Sequence, residues 1–161
     1  CGKTESDTVV CFYNESTKTL TISGEGEMAD FTDTTMPWYS YRGEIATIVI
    51  NKGVTSIGKH SFYECTALTS VTIPESVTTI GEYSFCYCSA LTSVTIPYSV
   101  TSIGNCAFSN CHKLTNVVIG KGITNIDKRA FSNCENLTIK SYAGGYAEIY
   151  AKENNIPFEV I

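Results

Sequence analysis

The chain has 161 residues, a formal net charge of −5 and a pI of about 5.0, with 43% hydrophobic and 17% charged residues. That size suits one domain, and the acidic balance argues against nucleic acid, whose binders carry a basic stripe; the stretch from Leu68 to Ala90 holds neither Lys nor Arg. No apolar run approaches the roughly 20 residues that cross a bilayer, and a start at Cys1 without an initiator Met reads as a processed or trimmed chain.

Residues 1–44 read as an N-terminal cap. Val9 to Tyr13 and Thr19 to Ile22 are strand-like runs separated by the turn composition Asn14-Glu15-Ser16-Thr17-Lys18. Gly24 to Thr35 reads as an acidic loop carrying Glu25, Glu27, Asp30 and Asp33, a solvated segment without the ligand spacing of a calcium loop. Thr35-Met36-Pro37-Trp38 reads as a helix start, with Thr34 or Thr35 as N-cap and Pro37 in the first turn. Trp38 is expected to cover the open end of the core.

From Ile45 the chain repeats. LTSVTIPESVTTIGEYSFCYCSA is followed without a gap by LTSVTIPYSVTSIGNCAFSNCHK, from Leu68 to Lys113. Looser copies run from Ile45 to Ala67 and from Leu114 to Asn136, so residues 45–136 are four 23-residue units. A fixed period in the twenties is the mark of a solenoid. Position 4 holds Ile48, Val71, Val94 and Val117, and position 6 holds Ile50, Ile73, Ile96 and Ile119, the spacing of a strand. Thr19-Leu20-Thr21-Ile22 aligns with Ser70-Val71-Thr72-Ile73, which makes the cap a degenerate first strand. A second apolar pair follows, such as Val77 and Ile80, and then a helical turn bearing Phe62, Phe85, Phe108 or Phe131. No unit can bury its apolar side alone, whereas stacking places like on like in a continuous core. Gly58, Gly81 and Gly104 are expected at positive φ where the chain turns, with Asp127 in their place in the fourth unit. Pro74 and Pro97 end their strands.

After Asn136 the repeat breaks into a C-terminal cap, residues 137–161. Leu137-Thr138-Ile139 gives a last strand, and Ala143 to Asn154 is a helix with Tyr146, Ile149 and Tyr150 on one face. Asn155 suits a left-handed helix terminus before Pro157, and Phe158 and Val160 alternate as a terminal strand.

The pattern L-T-S-V-T-I-P-x-S-V-T-x-I-G-x-x-A-F-x-x-C resembles the BspA-type leucine-rich repeat, closely over residues 45–136. The flanks CG…TLTISGEGEM…PWYSY and YAGGYAEIYAKENNIPFEVI resemble that family as well. The resemblance implies an α/β solenoid, a right-handed leucine-rich-repeat superhelix forming a single domain over residues 1–161. It also implies a bacterial (or protist) protein, extracellular or on the cell surface, concerned with adhesion and protein binding. No catalytic residues come with it.

Four cysteines, Cys65, Cys88, Cys111 and Cys134, share a column and read as a ladder of buried thiols. Cys86 and Cys106 lie off that column and face each other across neighbouring units, as a disulfide or as separate thiols; Cys1 and Cys11 leave the same alternatives, with a lipidated Cys1 a third. No paired C-x-x-C supports zinc, and no cofactor is expected. His60 and His112 read as surface histidines.

Positions 3 and 5 point away from the core, so Thr47, Ser70, Thr72, Ser93, Thr95 and Asn116, with Tyr98 at the rim, form a hydroxyl-rich sheet face. Thr at positions 2 and 11, among them Thr69, Thr92 and Thr78, enlarges that inventory. Val49 and Val118 break the array that ice binding would require. Tyr63, Tyr83 and Tyr87 occupy the opposite side. No acid, base and nucleophile converge in one unit, which favours a noncatalytic monomer binding a protein or glycan on a host or neighbouring cell. The competing class is an accessory or catalytic domain of a glycan-acting enzyme; Glu75 and Glu82 stand isolated, without the paired-carboxylate cleft it would need.

Overall fold

Alternating apolar residues and short breaks give a chain of brief strands in the computed structural model, which describes Gly2 and residues 7–161. Cys1 lies outside the described residues, and any Cys1–Cys11 pairing with it. The strands are β1 (Val10–Asn14), β2 (Thr19–Ser23), β3 (Gly26–Glu27), β4 (Thr47–Ile50), β5 (Val54–Ile57), β6 (Ser70–Thr72), β7 (Thr79–Ile80), β8 (Ser93–Ile96), β9 (Ser102–Ile103), β10 (Asn116–Ile119), β11 (Asn125–Ile126), β12 (Thr138–Ser141) and β13 (Phe158–Val160). The helical elements are a 3-10 helix, Tyr39–Glu44, and α1, Tyr146–Glu153.

The chain winds as a β-solenoid. Strands from the first half of each turn form a front face, in the sheets β1-β2-β4-β6 and β8-β10-β12-β13. Strands from the second half form the back sheet β3-β5-β7-β9-β11. Pairing is parallel and in register, Thr19 beside Thr47 beside Ser70 and Ser93 beside Asn116 beside Thr138. Only β1 runs antiparallel within the front face, against β2. The cap strand β2 therefore continues the repeat, as its sequence suggests. The acidic loop departs from expectation: Gly26 and Glu27 enter the back sheet against β5, and Asp30 Oδ1 accepts the Lys59 N–H at 2.8 Å.

The segment carrying each Phe is not helical, which corrects the α/β expectation. Every second amide points to the next coil, while the amides between them close short turns, Cys86 N–H donating to the Tyr83 carbonyl at 3.3 Å and Cys88 N–H to that of Phe85 at 3.2 Å. Tyr83 N–H donates to the Asn105 carbonyl at 2.9 Å, Phe85 to Ala107 at 2.8 Å and Tyr87 to Ser109 at 2.9 Å. This third ladder requires left-handed residues at positions 16 and 20: Tyr83, Tyr87, Cys106 and Asn110 have φ of 55°, 64°, 52° and 60°. Such a conformation costs a non-glycine residue roughly 1–2 kcal/mol, offset by ladder bonds of about 1 kcal/mol each and by ring burial.

Gly58, Gly81 and Gly104 do not have positive φ. They are glycine because coils touch there. A Cβ on Gly58 would lie 2.0 Å from the Ala29 carbonyl oxygen, and one on Gly104 would lie 2.8 Å from Glu82 N. Asp127 fits the fourth coil because the turn is built differently: its carboxylate accepts the Arg129 N–H at 2.9 Å, and Arg129 is not left-handed.

The core is a column of rings running between the caps. Trp38 stacks on Phe62 at 5.7 Å, Phe62 meets Phe85 at 5.1 Å, Phe85 stacks on Phe108 at 5.0 Å, and Phe108 stacks on Phe131 at 5.3 Å. Tyr150 closes the column edge-on at 6.1 Å. Burying one such ring stabilises by about 1.5–3 kcal/mol, and each ring pair adds about 0.5–1.5 kcal/mol. Trp38 is fully buried and donates Nε1–H to the Ser61 carbonyl at 2.7 Å. The helix expected near it begins only at Tyr39, is 3-10 and has no side-chain cap; Thr35 Oγ1 instead accepts the Thr32 N–H. At the other end α1 starts at Tyr146 because Gly144 is left-handed and Gly145 extended. Its buried face is Ala147, Tyr150 and Ala151, one position on from the expected Tyr146, Ile149 and Tyr150. Small alanines let the helix lie close to the stack, and Ile149 is left 51% exposed. Asn155, at φ 55°, terminates the helix as its sequence suggests.

Candidate functional site

Register turns the front face into two rows of side chains. Thr19, Thr47 and Ser70 lie in one row, continued by Ser93, Asn116 and Thr138; Thr21, Val49 and Thr72 lie in the other, continued by Thr95, Val118 and Lys140. All seven residues singled out from the sequence reach this side of the molecule or its rim. Phe12, 66% exposed and opposite Thr21, adds an aromatic at the N-terminal end that the repeat pattern could not reveal. Lys140, paired with Glu159 at 2.7 Å, adds charge at the other end.

The face is split where the two most similar units meet. No strand pairing joins β6 to β8, although β4 pairs with β6 and β8 with β10. Thr69 N–H donates to the Ala46 carbonyl at 2.9 Å, Thr115 to Thr92 at 2.9 Å and Thr138 to Thr115 at 2.9 Å. The equivalent bond from Thr92 to the Thr69 carbonyl is absent, as is the one from Ser93. Pro97 has no N–H to supply the bond that Gly120 makes to Ile96 and Asn51 to Ile22. The opening is a slot of about 350 Å³. Ser70, Thr72, Ser93 and Thr95 form its walls, Val71 and Val94 lie at its base, and Glu75 lies at its rim side. Val71 is half-buried, whereas its counterparts Ile48 and Val117 are fully buried.

A second depression of about 260 Å³ adjoins the slot and shares Glu75, Thr95 and Pro97 with it. Tyr98, Val118, Lys121, Tyr142 and Ile161 also line it. Tyr142 and Ile161 belong to the C-terminal cap and were invisible to the repeat pattern.

Other candidates prove structural. The position 2 and 11 threonines brace the coils: Thr69 Oγ1 donates to the Ala46 carbonyl at 3.1 Å, and Thr78 Oγ1 to Thr55 at 3.1 Å. Three column thiols donate to the carbonyl of the preceding coil's Phe, Cys88 to Phe62 at 3.3 Å, Cys111 to Phe85 at 3.2 Å and Cys134 to Phe108 at 3.1 Å. Burial pushes the Cys65 thiol up to about 12 and Cys134 up to about 11, the reverse of an activated nucleophile. Cys86 and Cys106 are separate thiols. His60 is not a plain surface residue: its ring stacks on Tyr83 at 5.0 Å and meets Tyr63 at 5.5 Å. Tyr63 meets Tyr87 edge-on at 5.7 Å, so the tyrosines of the turn side are engaged with one another. His112 is exposed.

The family pattern described as BspA type leucine rich repeat region matches residues 34–152 in six copies. A leucine-rich repeat protein of Eubacterium ventriosum is similar in structure, with a TM-score of 0.66 and 30% identity over 84% of this chain and 42% of that one. A leucine-rich repeat protein of Bacteroides ovatus gives 0.64 and 29%, over 74% of this chain and 31% of that one. The T. pallidum leucine rich repeat protein, at 22% identity with a TM-score of 0.62 over 86% of this chain and 71% of that one, shares the fold. The chain thus spans less than half the length of the first two. No curated protein matches it. No helix among the described residues is long and apolar enough to cross a membrane.

Proposed function

The chain belongs to the BspA-type leucine-rich repeat family, and on that premise we propose that it is a noncatalytic binding module of the bacterial cell surface or extracellular space. It presents the front face to a protein or glycan on a host or neighbouring cell. The observation that carries this reading is the open slot between β6 and β8 in a face of small hydroxyl side chains. Elsewhere in the coils backbone groups are spent on ladders and apolar side chains on the core. At the slot both remain accessible together, beside hydroxyls that donate and accept. The buried thiols and the interlocked turn-side rings serve the stack itself.

Thr72→Lys with Ser93→Lys tests the reading, against a combined glycan and protein array. Charge and bulk on both walls should abolish capture of whatever the parent binds. Capture by the folded double variant equal to the parent's would remove the front face as the site. Turnover of any captured glycan or peptide by the purified protein would remove the noncatalytic reading.

A further inference from the structure

Resting on that reading of the front face, we propose that the depression at Tyr98 is a sugar subsite. A neutral polysaccharide chain lies along the slot between β6 and β8, passes Glu75, and seats a ring against Tyr98 and Tyr142. Tyr98 is 62% exposed and Tyr142 49%, and neither ring stacks on another aromatic among the described residues. Tyr63, by contrast, packs against His60 and Tyr87, and Tyr83 stacks on His60. The turn from Gly120 to Gly122 lies close against the Tyr98 backbone. A Cβ on Gly120 would lie 2.4 Å from Tyr98 Cα, and one on Gly122 would lie 1.8 Å from the Tyr98 carbonyl oxygen. Only glycines permit that backbone contact, and Tyr98 lines the depression.

The chemistry on either side of the ring selects the ligand. A pyranose has an apolar C–H face that lies on an aromatic ring and hydroxyls around its edge, and each hydroxyl both donates and accepts. The edge groups meet the Glu75 carboxylate, which lines both cavities, and then the wall hydroxyls Ser93 and Thr95. Further along stand the unpaired Thr92 N–H and Thr69 carbonyl. Glu75 is the sole charge on the slot, and Lys121 balances it in the depression. Among the described residues no cationic cluster lines either cavity for a sulfated, phosphorylated or uronic chain. Nor do the slot's small walls form the deep pocket that an aromatic or arginine anchor of a protein partner would fill.

Affinity electrophoresis in native gels cast with dextran, mannan or a soluble β-glucan, with heparin as the anionic control, tests the proposal. At least one neutral polymer should retard the protein and heparin should not. Tyr98→Ala with Tyr142→Ala should weaken that retardation by about tenfold or more, equivalent to 1.4 kcal/mol, with melting unchanged. Thr72→Lys with Ser93→Lys should weaken it as well. Absence of retardation by all three neutral polymers, equal retardation by heparin, or full retention in the Tyr98/Tyr142 variant each overturns the sugar subsite. If a peptide display library is captured and Thr72→Lys with Ser93→Lys abolishes that capture while no polymer is bound, the front-face reading stands and the sugar inference falls. If neither is captured, both fall.

Discussion

The coils Leu68–Ala90 and Leu91–Lys113 meet in two very different ways. On the turn side Tyr83, Phe85 and Tyr87 donate across the step and the Phe85 and Phe108 rings stack at an interplanar angle of 5°. On the front, the same two coils, both spelling LTSVTIP, share no strand pairing. The less alike coils at Ala46/Thr69 and Thr92/Thr115 do pair on this face. Identity of sequence thus does not secure identical pairing. What holds the register is ring burial together with the turn-side ladder and the back-sheet pairing of β7 with β9. Front-face groups that lose a partner stay in contact with water, so the loss costs only about 0.5–1.5 kcal/mol per bond. Pro97 lowers the number of bonds this step can make, but Pro74 does the same one step earlier, where pairing survives. The proline permits the opening without dictating it.

The comparison breaks most severely through the ring column. Phe85→Ala or Phe108→Ala should destabilise by about 3–5 kcal/mol, lowering the melting midpoint by about 6–20 °C for a chain of this size. Melting within a degree or so of the parent would show that the rings do not carry the step. Gly104→Ala forces a Cβ against the Glu82 amide and should cost about 1–3 kcal/mol; an unchanged denaturant midpoint would mean that the coils are not in contact there.

The thiol column responds to alkali. Cys65 has its proton held to about 12 in the fold, against an ordinary 9.0, because burial disfavours the thiolate. Its stabilisation is complete below pH 9 and is lost as pH rises from 9 towards 12, so chemical denaturation at pH 8 and pH 10.5 should give a lower midpoint at the higher pH. Maleimide in native buffer should find Cys106 and Cys134 before Cys88 or Cys111, which are fully buried. Rapid native labelling of Cys88 would dismantle the ladder.

Amide exchange sharpens the contrast directly. Thr92 and Ser93 should exchange at least about tenfold faster than Thr69 and Thr115, since only the latter pair donate to a neighbouring coil. Equal protection would close the slot. The smallest stability effect belongs to Thr72→Lys with Ser93→Lys. Both sites are exposed, and each substitution should move stability by less than about 0.5 kcal/mol while binding is lost.

Period, register and core were legible in the sequence because each depends on spacing alone. Leu68, Ile73 and Phe85 recur at intervals that fix which side of the chain is buried, and the like-on-like stack follows from the repeat itself. The cap strand Thr19–Ile22, the Trp38 lid and the left-handed Asn155 were equally readable, for each carries a local signal in residue type. The tertiary structure decided everything that depends on how close one coil lies to the next. It set Gly58, Gly81 and Gly104 by contact instead of by φ, and it opened the Phe-bearing segment into a ladder where a lone turn would close into a helix. It turned α1 by one residue so that alanines face the stack, and it parted β6 from β8. Spacing records which residues share a face; only the packed coils determine the distance between them, and the slot, Val71 at its base and the cap residues Tyr142 and Ile161 beside Tyr98 exist because of that distance.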